Sequence, residues 1–140
     1  MATKHEIETE AARPMAFFPH DTNASQDIKL ELLLDGFGMA GYGRWWRLCE
    51  LLGAADGHRI EIGNARIARV IARNLMYENV TDLMAFVKEL ADLGLIDMPG
   101  DGYISSKRMN RNAEYFGKKR AAGRKGGKTK RASAGVADEP

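Results

Sequence analysis

The sequence predicts a mainly α domain with a small β element, ordered as a winged helix-turn-helix with an extra N-terminal helix and a C-terminal helix. Three observations predict it. Apolar residues recur at helical spacing in four successive segments between residues 25 and 93. A short alternating segment, Arg59-Ile60-Glu61-Ile62, lies between the second and third of these and reads as a strand. After Gly94, two short runs flank the turn Pro99-Gly100-Asp101-Gly102, the pattern of a hairpin. With 140 residues, 44% of them hydrophobic and 29% charged, the chain has the composition of one soluble domain with a modest core.

The elements follow in order. Residues 1–16 are acidic, lack apolar periodicity and read as a disordered arm without a secretion signal. Asn23 and Ser25 are N-cap types, and Asp27 would face the positive end of a helix dipole. A first helix over about residues 25–36 would bury Ile28, Leu32 and Leu33. Gly36, Gly38 and Gly41 would break it. A second helix over about residues 41–55 carries Tyr42, Trp45, Trp46, Cys49 and Leu52 as a broad apolar stripe. That spacing makes at least Trp46 a core residue rather than part of a base-stacking platform. Cys49, the single cysteine, reads as a small buried hydrophobe in a reducing compartment.

A third helix over about residues 64–74 would bury Ile67, Val70 and Ile71. A fourth over about residues 79–93 starts at the capping Asn79 and stops at Gly94, with Val80, Leu83, Met84, Val87, Leu90 and Ala91 inward. Strands at 95–98 and 103–106 would form the wing. A fifth helix over about residues 106–117 rests on Met109, Ala113 and Phe116, and the basic remainder, residues 118–140, reads as disordered when free. The folded domain is thus placed at residues 17–117.

Charge is distributed unevenly. Residues 1–117 carry a net −4 and residues 118–140 a net +6. A mildly acidic body with a basic tail points to phosphate as the partner. In the tail, Lys118, Lys119, Arg120, Arg124, Lys125, Lys128, Lys130 and Arg131 are uninterrupted by acids, so they supply affinity without a sequence code. Lys107, Arg108 and Arg111 extend this character towards the wing. On the third helix, Arg66, Arg69 and Arg73 share one face, suited to backbone phosphates unless Glu61, Glu78 or Asp82 pair with them. On the fourth, Asn79, Thr81 and Lys88 are the candidate base readers. They share the outward face with Asp82, Phe86, Glu89 and Asp92, which fits a protein partner at least as well.

Catalytic patterns are missing. His20, Asp21, Asp27 and Glu50 match no metal-ligand spacing, and neither a nucleophilic triad nor a phosphate loop is present. No cofactor, metal or membrane partner is expected, and the location expected is cytoplasmic.

Phe18-Pro19-His20-Asp21, Asp27-Ile28-Lys29, Gly41-Tyr42-Gly43, Trp46, Leu48 and Glu50 together resemble the N-terminal domain of phage-type replisome-organiser proteins, a DnaD-like winged-helix group known largely as a conserved domain of unknown function. The similarity continues through residues 90–96, the glycine turn, Ser106 and Arg108, covering roughly residues 17–112. The resemblance implies a role in replication initiation, by binding origin DNA or by helping a helicase loader reach it. Longer members of that group carry a second, C-terminal domain; here a basic tail follows the first module. A transcriptional regulator, or a module that recruits a helicase loader or other replication protein, is the alternative. Duplex is the expected ligand, with single strands also open.

Overall fold

The computed structural model describes residues 2–134, with side chains described through Gly123. Five helices are present among the described residues: α1 (Lys4–Ala11), α2 (Ile28–Ala54), α3 (Ala65–Asn74), α4 (Val80–Asp92) and α5 (Lys107–Ala134). A two-stranded antiparallel sheet joins β1 (Arg59–Ile60) to β2 (Ile104–Ser105), in register Arg59 to Ser105 and Ile60 to Ile104. The mainly α character and the small β element are as the sequence predicted.

The two expected helices before residue 56 form one rod with a single break. Asp27 caps α2 by accepting the Lys29 amide at 3.1 Å. The helix continues to Ala54, kinked where Gly38 takes φ 69° and ψ −168°. That left-handed region suits glycine, so one residue suffices where a longer turn was expected. In the first half of α2, Leu30 and Leu33 are buried while Ile28 and Leu32 are exposed, which corrects two of the expected core residues. Only one narrow stripe, continued by Phe37, meets the rest of the molecule. In the second half, Trp45, Trp46, Cys49 and Leu52 are buried as their spacing implied.

Helices α3 and α4 begin and end close to the expected limits. The Asn64 side chain accepts the Arg66 and Ile67 amides, and Asn79 accepts the Asp82 amide. Their rotation differs from expectation. Val70 is 44% exposed because α3 turns Ala68 and Ala72 inward. Phe86, expected outward, is fully buried, its ring 5.4 Å from Phe37 and 5.8 Å from Tyr77. α4 thus buries the stripe Leu83, Phe86, Val87 and Leu90.

The expected wing is slight. Segment 95–98 is not a strand; Asp97 alone bridges to Ser105, exchanging backbone bonds of 2.8 and 3.2 Å. β2 is instead extended by β1 on its other side. Ser106 ends the strand and starts α5, its buried hydroxyl accepting the Met109 amide at 3.3 Å.

Both ends of the chain depart from the expected disorder. Residues 4–11 form α1, begun by a capping box between Thr3 and Glu6. α1 packs on α5, where Gly117 has no side chain and Ala11 comes close enough that any Cβ would clash with its backbone at 2.6 Å. Glu10, 2% exposed, is held by Arg120 from α5 and by Arg13. The ring nitrogens of buried His58 lie 2.7 Å from the Ala11 carbonyl and 3.3 Å from that of Leu52, and the Gly57 amide donates to the Ala12 carbonyl. α5 itself continues through Ala134, so residues 118–134 are helical rather than irregular. Residues 135–140 of the expected tail lie outside the described residues.

Candidate nucleic-acid interface

The most open cationic surface is the outer face of α3. Arg66, Arg69 and Arg73 are all exposed, and none forms an ion pair among the described residues. Glu61, Glu78 and Asp82, the acids the sequence offered as partners, do not reach them. The helix places the three guanidinium groups on one side at i, i+3 and i+7, with Val70 between them. A guanidinium donates through a planar fork that matches phosphate oxygens, so this side can follow a polyanion backbone.

The outer face of α4 differs. Asn79 uses its amide on the cap and on Asp82, whose carboxylate accepts at 3.3 Å. Lys88 donates to Asp92 at 3.1 Å. Thr81 is exposed and unbonded among the described residues. Acids therefore compete at every candidate base reader except Thr81.

The start of α5 is structurally occupied. Arg108 donates to the Pro19 carbonyl at 3.1 Å, stands 3.9 Å from Asp21, and lies 5.3 Å over the Trp46 ring. It pins the 17–21 segment to the core rather than facing solvent. Lys107 lies 4.0 Å from Asp97. Arg111 is exposed beside a cleft of about 710 Å³ between the 21–27 loop, the end of α4 and α5. Lys29, Lys107, Arg108 and Arg111 line that cleft, but so do Asp21, Asp27 and Asp97. Three acids among four cations offset most of the positive charge, so the cleft is a weak anion cradle.

Further along α5, Lys118 approaches Glu114 at 3.9 Å and the Lys119 ammonium stands 5.4 Å over Tyr115. Arg120 donates to the Glu10 carbonyl at 2.6 Å and to its carboxylate at 3.3 Å, so it clasps α1 instead of belonging to a free tail. The side chains of Arg124, Lys125, Lys128, Lys130 and Arg131 lie outside the described residues.

Sequence reasoning missed two organising groups. Arg44 donates to the Leu75 carbonyl at 2.6 Å and the Met76 carbonyl at 3.1 Å, and its guanidinium stacks 4.0 Å over Tyr77. It fixes the turn between α3 and α4. Glu10 is the other, a carboxylate buried in what read as a disordered arm. No periodic signal marks either. His20, Asp21, Asp27 and Glu50 have local roles: a stack on Trp46 at 3.7 Å, the Arg108 pair, the α2 cap and a bond from Arg47 at 2.9 Å. Burial pushes the Cys49 thiol up to about 12, against an opposing pull from Arg108, which marks it as an inert core group. Among the described residues, no helix is long and apolar enough to cross a membrane.

No curated protein and no solved structure matches this chain. A family model does, over residues 17–108, which spans α2, β1, α3, α4, β2 and the first residues of α5 and leaves α1 outside. With most of its length so matched, the chain belongs to the Lin1244/Lin1753-like family, through that family's N-terminal domain.

Proposed function

We propose that this chain binds duplex DNA as a winged-helix module, with α3 rather than α4 against the phosphate backbone, and serves replication initiation in a phage or mobile element. The observation that carries the DNA reading is the face of Arg66, Arg69 and Arg73, three exposed guanidinium groups with no acid partner among the described residues. The α3–α4 pair, its rigid turn and the return of residues 95–105 onto β1 support the winged-helix assignment. The replication role rests on the resemblance of the Phe18–Asp21 and Gly41–Gly43 motifs to replisome-organiser proteins. A regulator of transcription would use the same surface, and a flanking helicase or helicase-loader gene would favour replication. The basic residues beyond Gly123 add sequence-independent affinity.

The test is binding of random duplex at low salt by three chains: full length, Arg66→Ala/Arg69→Ala/Arg73→Ala, and one truncated after Gly123. The triple variant is expected to lose about 100-fold in affinity with its thermal midpoint retained. Truncation is placed after Gly123 because an earlier cut removes Arg120 and with it the hold on α1. Unchanged affinity of the triple variant removes α3 from the DNA, and absence of binding by the full chain removes the DNA reading altogether.

A further inference from the structure

We propose that the groove between α2 and the α3–α4 turn docks an acidic amphipathic helix from a partner protein. The groove holds about 360 Å³ and is lined by Ala40, Gly43, Arg44, Arg47, Leu75 and Met76, together with Asn74. Three observations single it out. Met76 is 81% exposed yet sits at φ 65°, a left-handed backbone that a side chain as large as methionine rarely adopts. That conformation closes α3, with the Met76 amide donating to the Arg73 carbonyl at 3.1 Å and the Tyr77 amide to that of Ala72 at 2.8 Å, and Arg44 braces it through the carbonyls of Leu75 and Met76, so the thioether is presented outward on a rigid turn. An exposed methionine on such a turn is the adaptable apolar contact that binding surfaces use.

Gly43 is the second observation. It sits inside α2, where glycine is unfavourable relative to alanine, and a Cβ built on it meets nothing within 4 Å. The domain's own packing does not require it; its use is to leave the groove floor open so that another helix backbone can approach. Third, Met39, 71% exposed, precedes Gly43 by one helical turn and adds an exposed apolar side chain on the same side of α2.

Charge complementarity selects the occupant. Among the described residues, no acid lines the groove. Arg44 has no carboxylate partner among the described residues, and Arg47, which pairs with Glu50 and donates to the Asn74 side-chain oxygen at 2.9 Å each, keeps 45% of its side chain exposed. Arg73 stands next to Asn74 on α3. An apolar floor with a cationic rim fits two apolar side chains one turn apart, flanked by Asp or Glu. No strand edge borders the groove, so strand addition is unavailable and a helix is the fitting mode.

The experiment pans a phage-displayed library of short random peptides on the full chain, then measures the enriched peptides by fluorescence anisotropy. Enrichment of net-negative peptides with an i, i+4 apolar pair is expected. Gly43→Gln, which fills the groove in an open helical position, should weaken them at least about tenfold while leaving duplex binding unchanged and the thermal midpoint equal or higher. Arg47→Gln should weaken them as well. The proposal is overturned if no acidic helical class emerges, or if Gly43→Gln binds such peptides as well as the parent. Random duplex that displaces them would make the groove part of a nucleic-acid surface instead. Self-association of the chain that Gly43→Gln abolishes would assign it to a second copy.

Discussion

The arginines of α3 and the cations at the base of α5 carry the same charge in opposite company. Arg66, Arg69 and Arg73 stand in solvent with no ion pair among the described residues, whereas Lys107, Arg108, Lys118 and Arg120 each lie within 4.0 Å of a carboxylate oxygen. Arg108 and Arg120 are bound to backbone carbonyls besides. The α4 face falls with the second group, since Lys88 and Asn79 are both engaged by acids of their own helix. A run of positive charge in a sequence sets the field around the molecule. Which of those charges a polyanion can use depends on what the fold has already done with each one.

Breaking the engaged side of this comparison should cost stability, and breaking the free side should not. Phe86→Ala is the largest expected effect, because Phe86 is fully buried and anchors α4 with a mixed, mostly acidic face outward. A loss of about 3–5 kcal/mol in denaturant unfolding is expected. A loss below about 1 kcal/mol would return Phe86 to the surface and reopen α4 as a reader. Arg120→Ala follows, at roughly 2–3 kcal/mol, since it leaves the buried Glu10 carboxylate to Arg13 and loosens α1. Hydrogen exchange would show the amides of α1 opening first. If α1 stays protected, the clasp is not what holds it.

Arg108's inward position sharpens the contrast through Cys49. Burial raises the thiol from an ordinary 9.0 to about 12, and the nearby Arg108 guanidinium works against that rise. The neutral thiol favours the fold. Its contribution is complete below about pH 9 and declines as pH climbs towards about 12, because the unfolded chain then releases a proton that the native one keeps. The parent should therefore lose about 1.4 kcal/mol more per pH unit over that window than Cys49→Ala does. Parallel pH profiles would contradict the buried, inert assignment. Smallest of all, Lys88→Ala should change stability by under about 0.5 kcal/mol, its pair with Asp92 being exposed. Its effect on duplex affinity should stay below about twofold. A larger loss there would move α4 back onto the DNA.

Much of this was legible in the sequence, for identifiable reasons. The boundaries of α4 follow from Asn79 and Gly94, whose capping chemistry acts within a few residues. The burial of Trp46 follows from helical spacing. The arginine face of α3 was legible too, since i, i+3 and i+7 share a side whatever the tertiary fold. What failed depends on distant partners. α1 buries a glutamate and meets α5 through Gly117, so no apolar period announces it. The rotation that buries Phe86 is decided by Phe37 and Tyr77, and Val70 is exposed because α3 packs through Ala68 and Ala72. Helix boundaries are local properties, whereas helix orientation is settled by packing.

The salt dependence of duplex binding tests the central contrast most directly. Affinity is measured across a salt series for the parent, for Arg66→Ala/Arg69→Ala/Arg73→Ala and for Lys88→Ala/Lys118→Ala. Loss of three backbone contacts should flatten the log–log slope by about 2.7, while the paired lysines should leave it nearly unchanged. Equal slopes for the parent and the triple variant would contradict the account and show that the free arginines of α3 do not touch phosphate.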